Sequence, residues 1–373
     1  MTKTPIAIIS VLKPVDDTRA YEKMAMTLAK TNNYNITILG QATRALEELP
    51  PSQKIRFAPL PGFKRLGLKR VFIPIFVFIK LLQLKPKLII VNTYELLMIT
   101  ILNQILFGTK TIYDVQENYH HNLLYQNNYS WPIKFVFAKL IRFKEWCLSP
   151  FIHHFILAEK GYEHELGFIK NRFTIIENKA IVRGQTKDRK ARNEKIKFLF
   201  AGNISENSGV LNAVALYQSV RKPLPDSELT IIGHCPSPSL LNRLLGMAND
   251  RIHVKLSLTP IPHDEIVDQI IGSDFGIVAY TLNKSNENCM PTKVFEYLAH
   301  GLPIICQTDT LWSVYAQRFG AVIEVDFQQF DLTSFMKKLT DFQHNFQPKQ
   351  IEEVMWASEE PGLIHLVKSL TEP

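Results

Sequence analysis

Residues 288–306 read NCMPTKVFEYLAHGLPIIC. Met290-Pro291-Thr292 is a short loop entering a helix: Pro291 suits a helix start, and Thr292 can cap it or donate to a phosphate. The first N–H groups of such a helix have no intrahelical partner and the dipole is positive there, so a diphosphate fits that end. Lys293 stands in the first turn, where a cation is unfavourable for the helix alone and makes sense beside a bound anion. Glu296, three residues on, shares a face with Lys293, and a carboxylate there can accept from ribose hydroxyls. Taken alone, the pair also reads as a plain surface ion pair. Gly301 ends the helix and Leu302-Pro303-Ile304-Ile305 starts a buried strand.

On both sides of this stretch, short apolar runs alternate with longer amphipathic ones. Strands are expected at residues 6–12, 35–39, 54–58, 88–92, 110–114, 154–157 and 173–177, with helices at 19–30, 71–82, 96–107 and 133–148. A polar stretch without apolar periodicity, residues 183–195, reads as a linker. The pattern then restarts, with strands at 196–201, 228–232, 252–254, 275–279, 303–306 and 321–325 and helices at 210–220, 239–248, 266–271 and 293–300. Continuous apolar strands separated by helices predict parallel sheets covered on both faces. The fold class is α/β, two Rossmann-like doubly wound domains facing across a cleft, with ligands at the carboxyl ends of the strands.

A chain of 373 residues suits two domains, and its 46% hydrophobic and 21% charged composition is that of a soluble globular protein. The four cysteines (Cys147, Cys235, Cys289 and Cys306) form no CxxC pair, which argues against a zinc ribbon or redox motif and for a reducing compartment. The N-terminal MTKTPIAIISVL reads as an early buried strand rather than a signal peptide, and no run approaches the ~18 apolar residues of a membrane span. No metal cluster is visible, so no metal is expected.

Charge is uneven. Residues 1–190 hold 28 Lys+Arg against 14 Asp+Glu, and residues 191–373 hold 15 against 21, so a +14 half precedes a −6 half. Such asymmetry points to a polyanionic partner, nucleic acid or an anionic membrane. Residues 62–87 carry seven Lys/Arg and no acid among interleaved Phe and Ile, and residues 132–147 add Lys134, Lys139, Arg142 and Lys144 among Phe135, Val136, Phe137, Leu140 and Ile141. The domain core is expected to take most of these apolar residues. The basic excess favours weak contact with an anionic membrane surface, placing the protein in the cytoplasm, peripheral on the inner face of the membrane. No nucleic-acid module is recognisable, so nucleic acid is not the expected partner.

The 288–306 stretch resembles the donor-site signature of retaining GT-B glycosyltransferases, in particular glycosyltransferase family 4. Pro291, Lys293, Phe295, Glu296, Tyr297, Leu298, Ala299, Gly301, Pro303, Ile304 and Ile305 match it in order. The resemblance implies that Glu296 binds the ribose and that backbone at Met290, Pro291 and Thr292 holds the diphosphate. Phe198-Leu199-Phe200-Ala201-Gly202-Asn203 is similar to the family's first donor-domain strand and glycine turn. Asp274 and the run ending in Tyr280 resemble the strand leading to its sugar pocket. In the first half, Tyr113-Asp114-Val115-Gln116-Glu117 resembles a Tyr-Asp-x-His-Glu turn, and Asp17-Thr18-Arg19 an early Asp-x-Arg element. The expected organisation is an acceptor-binding domain at 1–185, a nucleotide-sugar domain at 186–348, and a helix at 349–373 crossing back to the first. The implied reaction moves a sugar, with retention and without a metal, from a UDP- or GDP-sugar co-substrate to a glycan or lipid-linked acceptor, without a cofactor.

The chain departs from the family pattern in three places. Asn288 stands eight before Glu296 where a carboxylate is common, with Glu287 one step earlier, and either can meet the donor sugar. Asn203 and Ser208 replace basic residues of the usual diphosphate clamp, which leaves more of that load to Lys293. Gln116 replaces the common His. Glu117, Gln116 and His120 are the catalytic candidates, because they follow a strand end where an α/β cleft places functional groups. Asp17 and Arg19 are candidate ligand contacts, or simply start the first helix. Three rivals stand beside a glycosyltransferase: a nucleotide-sugar 2-epimerase, a silent nucleotide-sugar-binding subunit, and a nucleic-acid-binding protein.

Overall fold

A computed structural model of the chain describes residues 3–43, 54–63, 67–125, 131–182, 195–345 and 351–372. The chain forms two compact units, Met1–Asn178 with Trp356–Pro373, and Lys179–Met355. The expected domain boundaries at 185 and 348, and the linker except for Lys195, lie outside the described residues. The two units part at Asn178/Lys179 and Met355/Trp356. Near both junctions the Ala180 N–H donates to the Val354 carbonyl at 3.0 Å and Ala180 bridges Met355 in parallel, so the second unit begins and ends on one backbone pairing.

The first unit is built on seven strands: β1 (Thr4–Pro14), β2 (Tyr34–Gln41), β3 (Ile55–Leu60), β4 (Leu88–Val91), β5 (Lys110–Val115), β6 (His154–Leu157) and β7 (Phe173–Ile175). They pair in parallel in the order β3-β2-β1-β4-β5-β6-β7. All four residues of β4 are buried, because a parallel strand covered on both faces has no solvent side. The order reverses between β1 and β4, which is a topological switch point. The connections β3 to β4, β4 to β5 and β5 to β6 all run the same way along the sheet. Right-handed crossovers therefore stack their helices, Lys69–Leu84, Leu97–Phe107 and Trp131–Leu148, on one face.

The opposite face carries the wide π-helical turns Thr18–Ala25, the short helix Met26–Lys30 and the closing helix Glu360–Thr371. Glu360 accepts from Thr27 Oγ1 at 3.1 Å and Lys30 Nζ at 2.6 Å, and the buried Trp356 indole donates to Thr27 Oγ1 at 2.9 Å. These bonds hold the returning C-terminal segment in the first unit.

The expectation that the core takes most of the apolar residues in 62–87 and 132–147 is corrected. Helix Lys69–Leu84 buries Ile73, Val77 and Leu81 and leaves Val71, Phe72, Ile75 and Ile79 exposed. A helix on a sheet buries a single i, i+4, i+8 stripe, and this helix is apolar well beyond its stripe.

The second unit has strands β8 (Lys197–Asn203), β9 (Glu228–His234), β10 (Ile252–Ser257), β11 (Phe275–Val278), β12 (Ile304–Gln307) and β13 (Val322–Val325). All are parallel, in the order β10-β9-β8-β11-β12-β13, with the switch point between β8 and β11. On β8, Phe198 and Phe200 enter one core layer and Leu199 and Ala201 the opposite one, following the two-residue period of a strand. Burying each of the larger side chains stabilises the unit by about 1.5–3 kcal/mol.

Candidate functional site

The second unit gathers its candidate residues at the switch point. Near the end of β8 stands Gly202, whose φ of +103° an L side chain rarely adopts. The next helix, Val210–Val220, starts from Gly209, where a Cβ would fall 1.6 Å from the Ala279 carbonyl oxygen. Glycine there lets the turn after β8 press against the end of β11, and Tyr280 follows directly. Ser208 is consumed by this turn: its hydroxyl donates to the Ser205 carbonyl at 2.7 Å and accepts from the Ser205 N–H at 2.9 Å. Asn203 is exposed.

The helix Thr292–Ala299 points its N-terminus into the same place. Pro291 is its N-cap, without a side-chain capping bond, Thr292 is exposed, and Met290 is buried in the core behind the loop. Tyr297 fastens the helix to the sheet by accepting the Ala201 N–H at 2.9 Å. Glu287 is exposed and Asn288 half-buried, on a loop folded upon itself through Asn283 and Asn286.

Lys293 is the unusual member. Only 5% exposed, its Nζ has no hydrogen-bond partner. It lies 4.2 Å from the centroid of the Phe200 ring and 5.1 Å from that of Tyr280. A Cβ at Gly202 would stand 3.9 Å from its Cε. Burial pushes its pKa down to about 7, while the negative charge of half-buried Glu296 pulls the other way. Burial, with Glu296 adding, pushes the Tyr280 hydroxyl up to about 12. A surface ion pair is thus not what Lys293 and Glu296 form: the lysine is inside, stacked on aromatic faces and without a hydrogen-bonding counter-ion. A buried ammonium in that state is costly unless something negative reaches it. Phe200 and Tyr297, which shape the place, are not among the residues that the sequence marks as site candidates. Their signal was position, on the strand before the glycine turn and one helical turn beyond Lys293.

In the first unit the candidates collect after β5. Gln116 donates from Nε2 to Asp114 at 2.7 Å, and Glu117 accepts from Asn122 at 3.1 Å. His120 is half-buried with Nδ1 unpartnered, and its pKa is lowered to about 4 by burial and then by Arg142, His121 and Lys139, so it is neutral at physiological pH. His121 lies 3.4 Å from Glu165, and Asn118 joins Arg142 to Glu165. The candidate ligand contacts Asp17 and Arg19 have internal tasks. Asp17 caps the first helix by accepting from Arg19 N at 3.1 Å and Ala20 N at 3.0 Å. The buried Arg19 guanidinium grips Asp114 at 2.7–3.2 Å and reaches the Ile176 carbonyl at 2.9 Å. Asp274, just before β11, accepts the N–H of Lys197 at the start of β8 at 2.8 Å, and His153 and His154 bond to Thr111 and Thr174. Among the described residues no group of three or more His, Cys, Asp or Glu side chains could hold a metal ion, and no helix is long and apolar enough to cross a membrane.

By sequence, the chain matches no family profile and no curated protein. By structure, it is similar to sucrose-phosphate synthase from Thermosynechococcus elongatus (TM-score 0.74, 14% identity, 99% of each chain covered). It is also similar to the catalytic domain of starch synthase IV from Arabidopsis thaliana bound to ADP and acarbose (TM-score 0.66, 11% identity, 100% of both chains). A third likeness is to UDP-GlcNAc 2-epimerase from Methanocaldococcus jannaschii (TM-score 0.60, 12% identity, 98% of this chain and 100% of that one). At these identities the likeness carries the fold: two Rossmann-like units of the GT-B type.

Proposed function

We propose that the chain is a glycosyltransferase that binds a nucleoside-diphosphate sugar in its second unit and passes the sugar to an acceptor bound by the first. The observation that carries this reading is Lys293, a buried ammonium without a hydrogen-bond partner beside the uncapped end of the Thr292–Ala299 helix and Gly202. A diphosphate would supply the acceptors and countercharge that this lysine lacks, and the first N–H groups of the helix would add theirs. Glu296 would take the ribose, and Glu287 or Asn288, with Tyr280, would line the sugar. UDP and GDP are the expected carriers.

Catalysis would come from positioning and from stabilising charge on the leaving diphosphate, the part of the reaction that Lys293 and the helix dipole serve. Such chemistry needs neither a metal nor a strong protein base, and it agrees with transfer of a hexosyl group with retention. On the acceptor side Glu117 is a better candidate than Gln116, whose amide is already spent on Asp114. The acceptor would be a glycan or lipid-linked glycan, met on the cytoplasmic side of a membrane. The likeness to a 2-epimerase favours a second reading, in which the same donor site isomerises its sugar without an acceptor.

The test is a melting-temperature panel of UDP, GDP, ADP, CMP and TDP on the native chain, Glu296→Ala and Lys293→Met. A ligand at ~100 times its Kd stabilises by about 2.7 kcal/mol. One nucleotide raising the native melting temperature and neither variant's supports the donor site, and silence from all of them sinks it. Incubating the matching nucleotide sugar alone then separates the two readings: an epimeric sugar nucleotide as product means an epimerase.

A further inference from the structure

The three helices stacked on one face of the first unit's sheet have an outer side that, among the described residues of that unit, nothing covers. Phe72 is 65% exposed, Ile105 71%, Phe143 62% and Trp146 61%, and Ile75 and Phe137 exceed one half. Helix Lys69–Leu84 packs on Leu97–Phe107, which packs on Trp131–Leu148, so these side chains belong to one continuous layer. A soluble protein rarely leaves an apolar patch of this breadth unpartnered.

The charges around the patch have one sign. Lys69, Lys85 and Lys139 are exposed and Lys80 half-buried, with the Lys85 and Lys139 ammonium groups 5.8 and 5.6 Å from the Phe107 and Phe135 rings. The acids at hand are spent internally. Glu145, the sole acid of the three helices, is buried and accepts from the Tyr113 hydroxyl at 2.9 Å, and Glu95 is paired with Arg70. Lysines that lay their stems along apolar surface and raise their heads at its edge match a layer with an oily interior and an anionic rim. A second copy of the chain would instead set cation against cation, because a two-fold interface presents the same patch on both sides.

We propose that the first unit docks on an anionic lipid bilayer through the outer side of this three-helix layer, lying on the membrane with Phe72, Phe137, Phe143 and Trp146 in the acyl boundary and Lys69, Lys80 and Lys139 at the headgroups. The assignment does not depend on the donor site, which is in the other unit.

Vesicle co-sedimentation of the full chain tests it, with phosphatidylcholine vesicles and with phosphatidylcholine vesicles containing phosphatidylglycerol. The chain is expected to partition to the anionic vesicles, with a blue shift in Trp fluorescence that Trp146→Phe removes. The quadruple variant Phe72→Ser, Ile75→Ser, Phe137→Ser, Phe143→Ser is expected to bind at least about tenfold more weakly. Lys69→Glu with Lys139→Glu is expected to lose the preference for anionic vesicles and keep its melting temperature. Because every replaced apolar side chain is exposed, the quadruple variant should also fold, and an unchanged nucleotide-induced melting shift would show the donor site intact. No partition of the native chain to anionic vesicles overturns the proposal, as does equal binding by the quadruple variant. A dimer in solution that the quadruple variant dissociates, without vesicle binding, overturns it in favour of a second copy.

Discussion

The hydroxyl of Tyr297 accepts the Ala201 backbone N–H at 2.9 Å, and that bond ties the helix starting at Thr292 to the strand end beside Gly202. Tyr297 and Lys293 lie one helical turn apart on the same stripe, so holding one sets the reach of the other. Tyr297→Phe keeps the ring and leaves a buried N–H unsatisfied. It should cost about 1–3 kcal/mol of stability and weaken nucleotide binding by loosening the helix end. Chemical denaturation and the nucleotide melting shift read the two effects, and an unchanged denaturation midpoint would deprive the bond of this role.

Lys293 predicts a pH dependence. Burial holds its pKa near 7, against ~10.4 for an ordinary lysine. A bound diphosphate favours the charged form and raises that pKa, so above about pH 7 binding takes up a proton. Affinity should therefore be highest below about pH 7 and fall as pH rises toward the bound-state pKa. Calorimetry at about pH 8 in buffers of different ionisation enthalpy should find close to one proton taken up by the native chain and none by Lys293→Met. The same depression weakens the empty protein: from about 10.4 down to about 7 the unfolded chain binds a proton that the folded one refuses, so stability falls as pH drops through that window. Lys293→Met should accordingly be more stable than the native chain at neutral pH, by roughly 1–3 kcal/mol, while binding no nucleotide.

Parallel strands are legible because they are buried on both faces and read as unbroken apolar runs, as in Leu88-Ile89-Ile90-Val91. The helix after Pro291 is legible from its punctuation. The state of Lys293 is not, because Phe200 and Tyr280 bury it, and they stand on separate segments that only the sheet brings together. The task of Arg19 is hidden likewise, since Asp114 is far along the chain. The bare outer side of the Lys69–Leu84 helix is not legible in the sequence, because its apolar residues run around most of its circumference and periodicity names no single inward side.

Gly209 and Gly202 should separate stability from binding. At Gly209 a Cβ would collide with the Ala279 carbonyl at 1.6 Å, and φ is +78°. Gly209→Ala should cost at least about 2–4 kcal/mol. At Gly202 a Cβ meets nothing closer than the Lys293 Cε at 3.9 Å. Gly202→Ala should therefore cost only the strain of its φ, about 1–2 kcal/mol, and act mainly on nucleotide affinity, where the backbone must come close to the ligand. Denaturation midpoints and nucleotide titrations of both variants check this. Equal stability losses would mean that the turn after β8 carries no functional demand.

Arg19 and Asp114 offer the matching test in the first unit. Burial by itself would lower the Arg19 pKa, and Asp114, with smaller help from Asp17 and Glu159, more than offsets it, so the guanidinium stays charged inside the protein. Removing one partner strands the other. Asp114→Ala should lose about 3–5 kcal/mol, whereas the double replacement Arg19→Met with Asp114→Leu should recover most of that loss, because an apolar pair needs no compensation. Gln116 also loses its acceptor in both variants, so if turnover depends on how Gln116 is held, the double variant should fold yet stay slow. Nucleotide binding should persist in it, since Lys293, Gly202 and Glu296 all belong to the other unit. A double variant as unstable as Asp114→Ala would mean that the ion pair contributes more than the avoidance of a lone buried charge.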